Sequence, residues 1–221
     1  MPATFFVTHD SPIIRSLASE RSFELGLHPY FGSDSTQGKT LQDALAFLLD
    51  IVPDARALRT HKLVQSSPLI AEICATAPQI DVDVSLYLHR HSGLQPVVWR
   101  LDRAAKPLWR LPYFWEDDFA AADPDWSWSD SAPESDGLRI FDFHPILLAL
   151  NVQDLTEYSG LKARLGRRPL TEASRELVTE FRRSGIGDAS FFHRLLGQAR
   201  DFVTVSALAP SQLAIKDSAC V

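Results

Sequence analysis

Ala3-Thr4-Phe5-Phe6-Val7-Thr8-His9-Asp10-Ser11-Pro12 decides the fold class. Its first six residues form an apolar, β-rich run without polar alternation, the pattern of a strand covered on both faces, and such strands belong to α/β folds. Asp10 or Ser11 is placed to cap a helix that takes Pro12 in its first turn and runs to about residue 19. Outward from there the pattern repeats. Residues 23–28 read as a second strand, 32–38 as a polar loop, and 40–52 as a helix with Leu41, Ala44, Leu45, Leu48 and Leu49 on one face. Further strands are expected at 57–61, 80–88, 96–101, 107–112 and 138–144, with a turn at 103–106. Helices are expected at 67–77, 152–165, 171–184 and 189–206. The stretch 116–137, with Trp126, Trp128 and two prolines, reads as a long irregular loop of the kind that often serves function. Short strands alternating with helices imply a mainly parallel sheet, open or closed into a barrel. One domain over 1–209 is expected, followed by a frayed tail from 210.

The 221 residues are 45% hydrophobic and 23% charged, which suits one globular domain and excludes a disordered chain. A net charge of -6 argues against nucleic-acid or anionic-membrane partners, which require a positive field. Cys74 and Cys220 are too few for a disulfide framework or a thiolate zinc site, so a reducing compartment, the cytoplasm, is expected. No apolar run reaches the ~20 residues that span a bilayer.

Four of the seven histidines, His9, His28, His61 and His144, stand where an expected strand gives way to a loop. In a parallel barrel these ends share one rim, where sites are built. Asp117 and Asp118 add carboxylates able to ligate a metal or orient an imidazole. Arg59 could hold a carboxylate through its planar fork. Trp115, Tyr113 and Trp126 are candidate flat platforms for the apolar CH face of a ligand; Trp109 is expected in the core, and Trp128 is balanced between lid and local cluster. His89 and His91 are expected in solvent, and His193 on a helix surface. Gly185-Ile186-Gly187 reads as a helix break only.

The run Ala3-Thr4-Phe5-Phe6-Val7 followed by Phe23-Glu24-Leu25-Gly26-Leu27-His28-Pro29 resembles the second and third strand region of the NodB-type polysaccharide deacetylases. Arg59-Thr60-His61, Trp115-Glu116-Asp117-Asp118 and Phe141-Asp142-Phe143-His144-Pro145-Ile146 then fall in the order of that family's later motifs, most like a divergent subgroup linked to O-antigen and surface-polysaccharide biosynthesis. The resemblance implies a distorted (β/α) barrel and metal-dependent removal of an N-acetyl group from an amino sugar or glycan precursor. A divalent ion, usually zinc, would activate water. By the same resemblance His28 is a metal ligand, His144 the general acid oriented by Asp117 or Asp118, and Arg59 the arginine that steadies a catalytic carboxylate.

Two departures follow. After His28 the positions of the family's Ser or Thr and second histidine are Gly32 and Ser35, so His61, or less favourably His9, is expected to supply the second imidazole. The family's first strand, with its paired aspartates, has no counterpart before Asp10. Either the coding start lies further upstream, or the chain is a degenerate carbohydrate-binding form. The strand at 4–7 would then carry an open edge able to pair with a second copy. An unrelated metal-dependent hydrolase barrel is the third reading.

Overall fold

A computed structural model describes residues 1–100, 106–134, 136–198 and 201–209. They form two units, taken in turn. The first comprises the described residues of 1–88, 93–113 and 201–209. Its strands are β1 (Ala3–Val7), β2 (Phe23–Leu27), β3 (Ala57–Leu58), β4 (Val82–Asp83), β5 (Val97–Trp99) and β6 (Leu108–Arg110). They lie in the order β1-β2-β3-β4-β6-β5, parallel throughout except for the antiparallel β5–β6 pair. This confirms the α/β class and the mainly parallel sheet. The expected barrel is corrected: the described residues form an open sheet with edges at β1 and β5. The antiparallel β5 ends the parallel run at one edge. The turn expected at 103–106 lies outside the described residues except for Lys106.

Local sequence explains the elements. Helix α1 (Pro12–Ala18) is capped by Ser11, whose hydroxyl accepts the N–H of Ile14. Helix α2 (Leu41–Ile51) starts in a reciprocal box between Thr40 and Asp43, and α3 (Ser67–Thr76) is capped by Ser66. Leu45 and Leu48 of α2 and Ile70, Ile73 and Cys74 of α3 pack with Val7, Leu27, Leu58 and Leu108 of the sheet into one core. Gly26 permits the close approach of β2 to its neighbours, because a Cβ there would lie 2.8 Å from the Phe6 ring and 2.9 Å from the Ala57 carbonyl. The strand expected at 80–88 contracts to β4, and all of 80–85 is buried, polar residues included. The reason is that its polar side chains have partners: Asp81 accepts from Arg56 and Lys106, and Asp83 from Arg110. The last expected helix divides in two, and its second part, α9 (Val205–Leu208), docks by hydrogen bonds from its N–H groups to Thr4 and Glu24.

The second unit comprises the described residues of 89–92 and 114–198. Strands β7 (Trp115–Glu116) and β8 (Phe141–Asp142) form a parallel pair with Trp115 opposite Phe141 and Glu116 opposite Asp142. Helix α4 (Asp117–Ala122) begins inside the stretch expected as irregular loop, and α5 (Pro145–Leu150) directly follows His144. Then come α6 (Thr156–Leu165), α7 (Arg175–Phe181) and α8 (Asp188–Gln198). Trp115 is the centre of the packing, with Trp126, Trp128, Phe141, Phe143 and Phe191 around its ring. The tail expected to fray from 210 lies outside the described residues. Among those described, no helix is long and apolar enough to cross a membrane.

Candidate functional site

In the first unit the parallel register places His28 just past β2 and His61 three residues past β3. His28 Nδ1 lies 2.6 Å from the Arg59 carbonyl. A carbonyl only accepts, so Nδ1 carries the proton, and the neutral imidazole keeps its lone pair on Nε2. That Nε2 is 3.1 Å from His61 Nδ1. His61 Nδ1–H is thus the donor to the Nε2 lone pair, and the spacing is close to that of adjacent corners of a tetrahedral zinc site, roughly 3.3 Å apart for Zn–N bonds of about 2.0–2.1 Å, where an ion would take the place of that proton. The carbonyl behind His28 is the kind of partner that fixes the tautomer of a ligating histidine.

His61 is held by its surroundings. Its ring stands edge-on to Tyr30 with centroids 4.7 Å apart, and Tyr30 Oη donates to Asp34 at 2.5 Å while accepting from Lys62 Nζ at 2.9 Å. Lys62 and Leu63, which follow His61, take left-handed φ values of 55° and 53°. For residues with a Cβ this conformation costs about 1–2 kcal/mol each, and such strain gathers at functional positions. His9 is exposed and its Nδ1 lies 2.8 Å from the neighbouring Thr8 hydroxyl. Arg59 is buried and donates to Tyr113 Oη at 2.9 Å. Sequence reading missed the Arg110–Asp83 pair, 2.8 Å apart with Asp83 buried. The sequence alone does not join this carboxylate to a cation 27 residues away.

The second unit builds an acid–base group at the carboxyl ends of its two strands. Asp117 opens α4 directly after β7, and His144 caps α5 two residues after β8. Both Asp117 oxygens are used on His144: Oδ1 accepts from Nδ1 and Oδ2 from the backbone N–H, each at 2.6 Å. Asp118 is partly exposed and accepts the N–H of Phe119 instead. The geometry therefore separates two residues that the sequence left as alternatives for orienting His144. Burial would lower the His144 pKa, but the hydrogen bond and charge of Asp117, with smaller contributions from Asp142 and Asp118, outweigh it and raise the pKa to about 9. Burial pushes Asp117 above the usual carboxylate range, and the bond to His144 opposes that. Glu116 Oε1 is 3.9 Å from His144 Nε2.

Asp188, the first residue of α8, was missed by the sequence reading. It is fully buried, and among the described residues no N–H or O–H donates to its carboxyl oxygens; burial first, and then the Asp117 charge, raise its pKa. The only signal was an acidic residue directly after the Gly185-Ile186-Gly187 break and ahead of the apolar Phe191 and Leu195.

Two sets of side chains here bring metal-ligand atoms within 4.8 Å of one another: Glu116, Asp142 and His144, and Asp117, Asp118 and His144. Either could chemically accept a divalent ion, although in the second the Asp117 oxygens already serve His144. The aromatic expectations divide. Trp115 and Tyr113 are 2% and 0% exposed, so neither offers an open face to a sugar and both act in packing or support. Trp126 is partly exposed, with the Arg90 guanidinium 6.0 Å from its ring centroid.

No curated protein matches the chain. The crystal structure of WbmS from Bordetella bronchiseptica, described as a candidate polysaccharide deacetylase involved in O-antigen biosynthesis, superposes with a TM-score of 0.71. The two are 27% identical, and the match covers 89% of this chain and 78% of that one. The WbmS-like polysaccharide deacetylase family model matches residues 1–162. With nearly three quarters of its length matched, the chain belongs to the WbmS-like polysaccharide deacetylase family.

Proposed function

We propose that this protein hydrolyses the N-acetyl group of an amino sugar in a precursor of an O-antigen-type surface polysaccharide. The observation that carries the reading is the pair of hydrogen bonds that Asp117 accepts from the His144 ring and backbone N–H, which keeps the proton on Nδ1 and leaves Nε2 as the proton donor. With its pKa near 9, His144 carries its proton at neutral pH and can pass it to the departing amine nitrogen. Asp117 holds the imidazole and compensates its charge. Asp118, partly exposed, is the carboxylate proposed to accept a proton.

His28 and His61 would hold a divalent ion, and when bound it would polarise the acetamide carbonyl and lower the pKa of an attached water toward ~7. Zinc suits two neutral imidazoles. Arg59 supports His28 through its backbone carbonyl, which accepts the hydrogen bond from Nδ1–H, while Tyr113 Oη accepts from its guanidinium. Trp126 is the remaining proposed sugar contact.

The test is acetate release from a panel of N-acetylated amino sugars and oligosaccharides by protein purified with zinc. Release that needs both the ion and His144 is expected. Fully zinc-loaded protein that releases no acetate from any member would overturn the reading, and sugar binding without metal or turnover would identify a carbohydrate-binding remnant.

A further inference from the structure

The carboxyl ends of β4 and β6 carry a closed ring of hydrogen bonds that the reaction above leaves without a task. Arg110, the last residue of β6, donates from Nε to Asp83 at 2.8 Å and from a terminal nitrogen to the Gln65 side-chain carbonyl. The Gln65 amide donates to the Ser85 backbone carbonyl at 2.9 Å, and the Ser85 N–H donates to Asp83 at 3.1 Å, which closes the ring. One further bond leaves it. The Ser85 hydroxyl accepts the N–H of Thr60 at 2.9 Å, and both of these residues are 0% exposed.

Ser85 therefore holds both ends of one short segment. Thr60 stands directly before His61, and Gln65 directly before Ser66, the cap of α3. Between them Lys62 and Leu63 keep their left-handed backbone, which persists only where the surroundings over-determine it. The bonds inside the segment are too weak for that alone: Leu63 N–H donates to the Thr60 carbonyl at 3.1 Å and Val64 N–H to the His61 carbonyl at 3.4 Å, near the limit of a hydrogen bond. His61 N–H donates to the Pro29 carbonyl at 2.9 Å, which ties the same residue to the stretch that carries His28. A buried ion pair such as Asp83 with Arg110 offsets its own desolvation with little to spare, so the ring acts on geometry more than on stability.

We propose that Ser85 and Gln65 are positioning residues for His61: backed by Asp83 and Arg110, they clamp residues 60–65 at both ends and so set the spacing between the His61 and His28 rings. The proposal rests on the reading of these two histidines as metal ligands, and a measurement made without metal separates the two.

The experiment uses the full chain labelled with nitrogen-15, first metal-free by NMR and then titrated with zinc against a chromophoric chelator. The metal-free wild type should show a scalar coupling across the N–H···N bond between His61 Nδ1 and His28 Nε2. Ser85→Ala removes the acceptor of the Thr60 N–H, and Gln65→Leu removes the tie at the other end. Each should lose the coupling and bind zinc roughly tenfold more weakly, the usual cost of losing a group that orients a ligand. If either variant fails to fold, the other decides alone. The control is Arg56→Ala, which breaks a comparable pair with buried Asp81 just ahead of β3 and β4, 2.9 Å in length. It should lower the urea midpoint and leave coupling and zinc affinity at their wild-type values, which distinguishes lost positioning from general loosening. Coupling retained in a folded Ser85 or Gln65 variant, coupling lost with zinc affinity unchanged, coupling lost in Arg56→Ala as well, or no coupling in the wild type would overturn the proposal. A wild type that takes up no zinc while the couplings behave as stated would overturn the metal reading and leave the clamp standing.

Discussion

The first unit turns a histidine toward another histidine; the second turns one toward buried carboxylates. His28 donates a hydrogen bond from Nδ1–H to a neutral carbonyl and turns Nε2 to His61 Nδ1 at 3.1 Å, an arrangement in which a proton, or a metal ion in its place, lies between two imidazole nitrogens. His144 donates a hydrogen bond from Nδ1–H to the Asp117 carboxylate, whose bond and charge raise its pKa to about 9, so the ring is cationic at neutral pH. Metal ligation requires the neutral imidazole and proton donation the charged one. One residue type serves opposite chemistry because the acceptor behind its ring differs.

Exchange of single residues tests this contrast directly. His28→Ala should abolish zinc binding, measured as metal per chain, and reduce acetate release to background. His144→Ala should retain the zinc and slow release by about 10²–10⁴-fold, the usual contribution of a positioned proton donor. If His144→Ala loses the metal while His28→Ala keeps it, the ion belongs to the Glu116, Asp142 and His144 atoms and the contrast collapses.

How much of this was legible in the sequence depended on the distance between partners. The runs at 3–8 and 23–28 became β1 and β2 because a continuous apolar run specifies a covered strand by itself. Thr40 and Asp43 announced α2 because a cap and its target lie within one turn. The barrel was not legible: closure depends on which edges meet, and the antiparallel β5 carries no composition distinct from that of a parallel strand. Within the site, the histidines were visible as strand-end residues. The choice of Asp117 over Asp118 was not, because adjacent residues at a helix start point in different directions and only the 27-residue contact with His144 separates them. Asp188 stayed hidden for the same reason, since the Asp117 charge that acts on it lies in a strand-end motif far earlier in the chain.

The second unit should also reveal its buried acids through stability. Asp117, Asp188 and His144 all have pKa values above their ordinary ones in the folded protein, so the native state binds more protons than the unfolded chain. For His144 the stabilisation is complete below pH 6.5 and is lost as pH rises through about 9; for the two acids, burial favours the protonated form, and stability again falls as pH rises above the ordinary carboxylate range. Urea midpoints should therefore decline from pH 5 to pH 9, by up to ~1.4 kcal/mol per pH unit for each proton released on unfolding. Asp188→Asn should flatten the decline. A midpoint that climbs over this range would show the carboxylates to be stabilised as anions.

The smallest effect concerns the turn that presents His61. Lys62 holds φ 55° with an exposed side chain, and its contacts are with Tyr30, at 2.9 Å to the hydroxyl and 4.7 Å to the ring centroid. Glycine adopts this conformation without the ~1–2 kcal/mol penalty of a Cβ, but it loses about 0.5–1 kcal/mol more chain entropy on folding. The exposed contacts to Tyr30 contribute little. Lys62→Gly should therefore raise stability by only about 0.5 kcal/mol, read from the urea midpoint, while loosening the backbone that aims His61 at His28. Zinc affinity should fall several-fold even as the fold gains. A variant that gains stability with zinc affinity intact would show that the strained turn is incidental to the imidazole pair, and would leave the carbonyl behind His28 as the feature that prepares it.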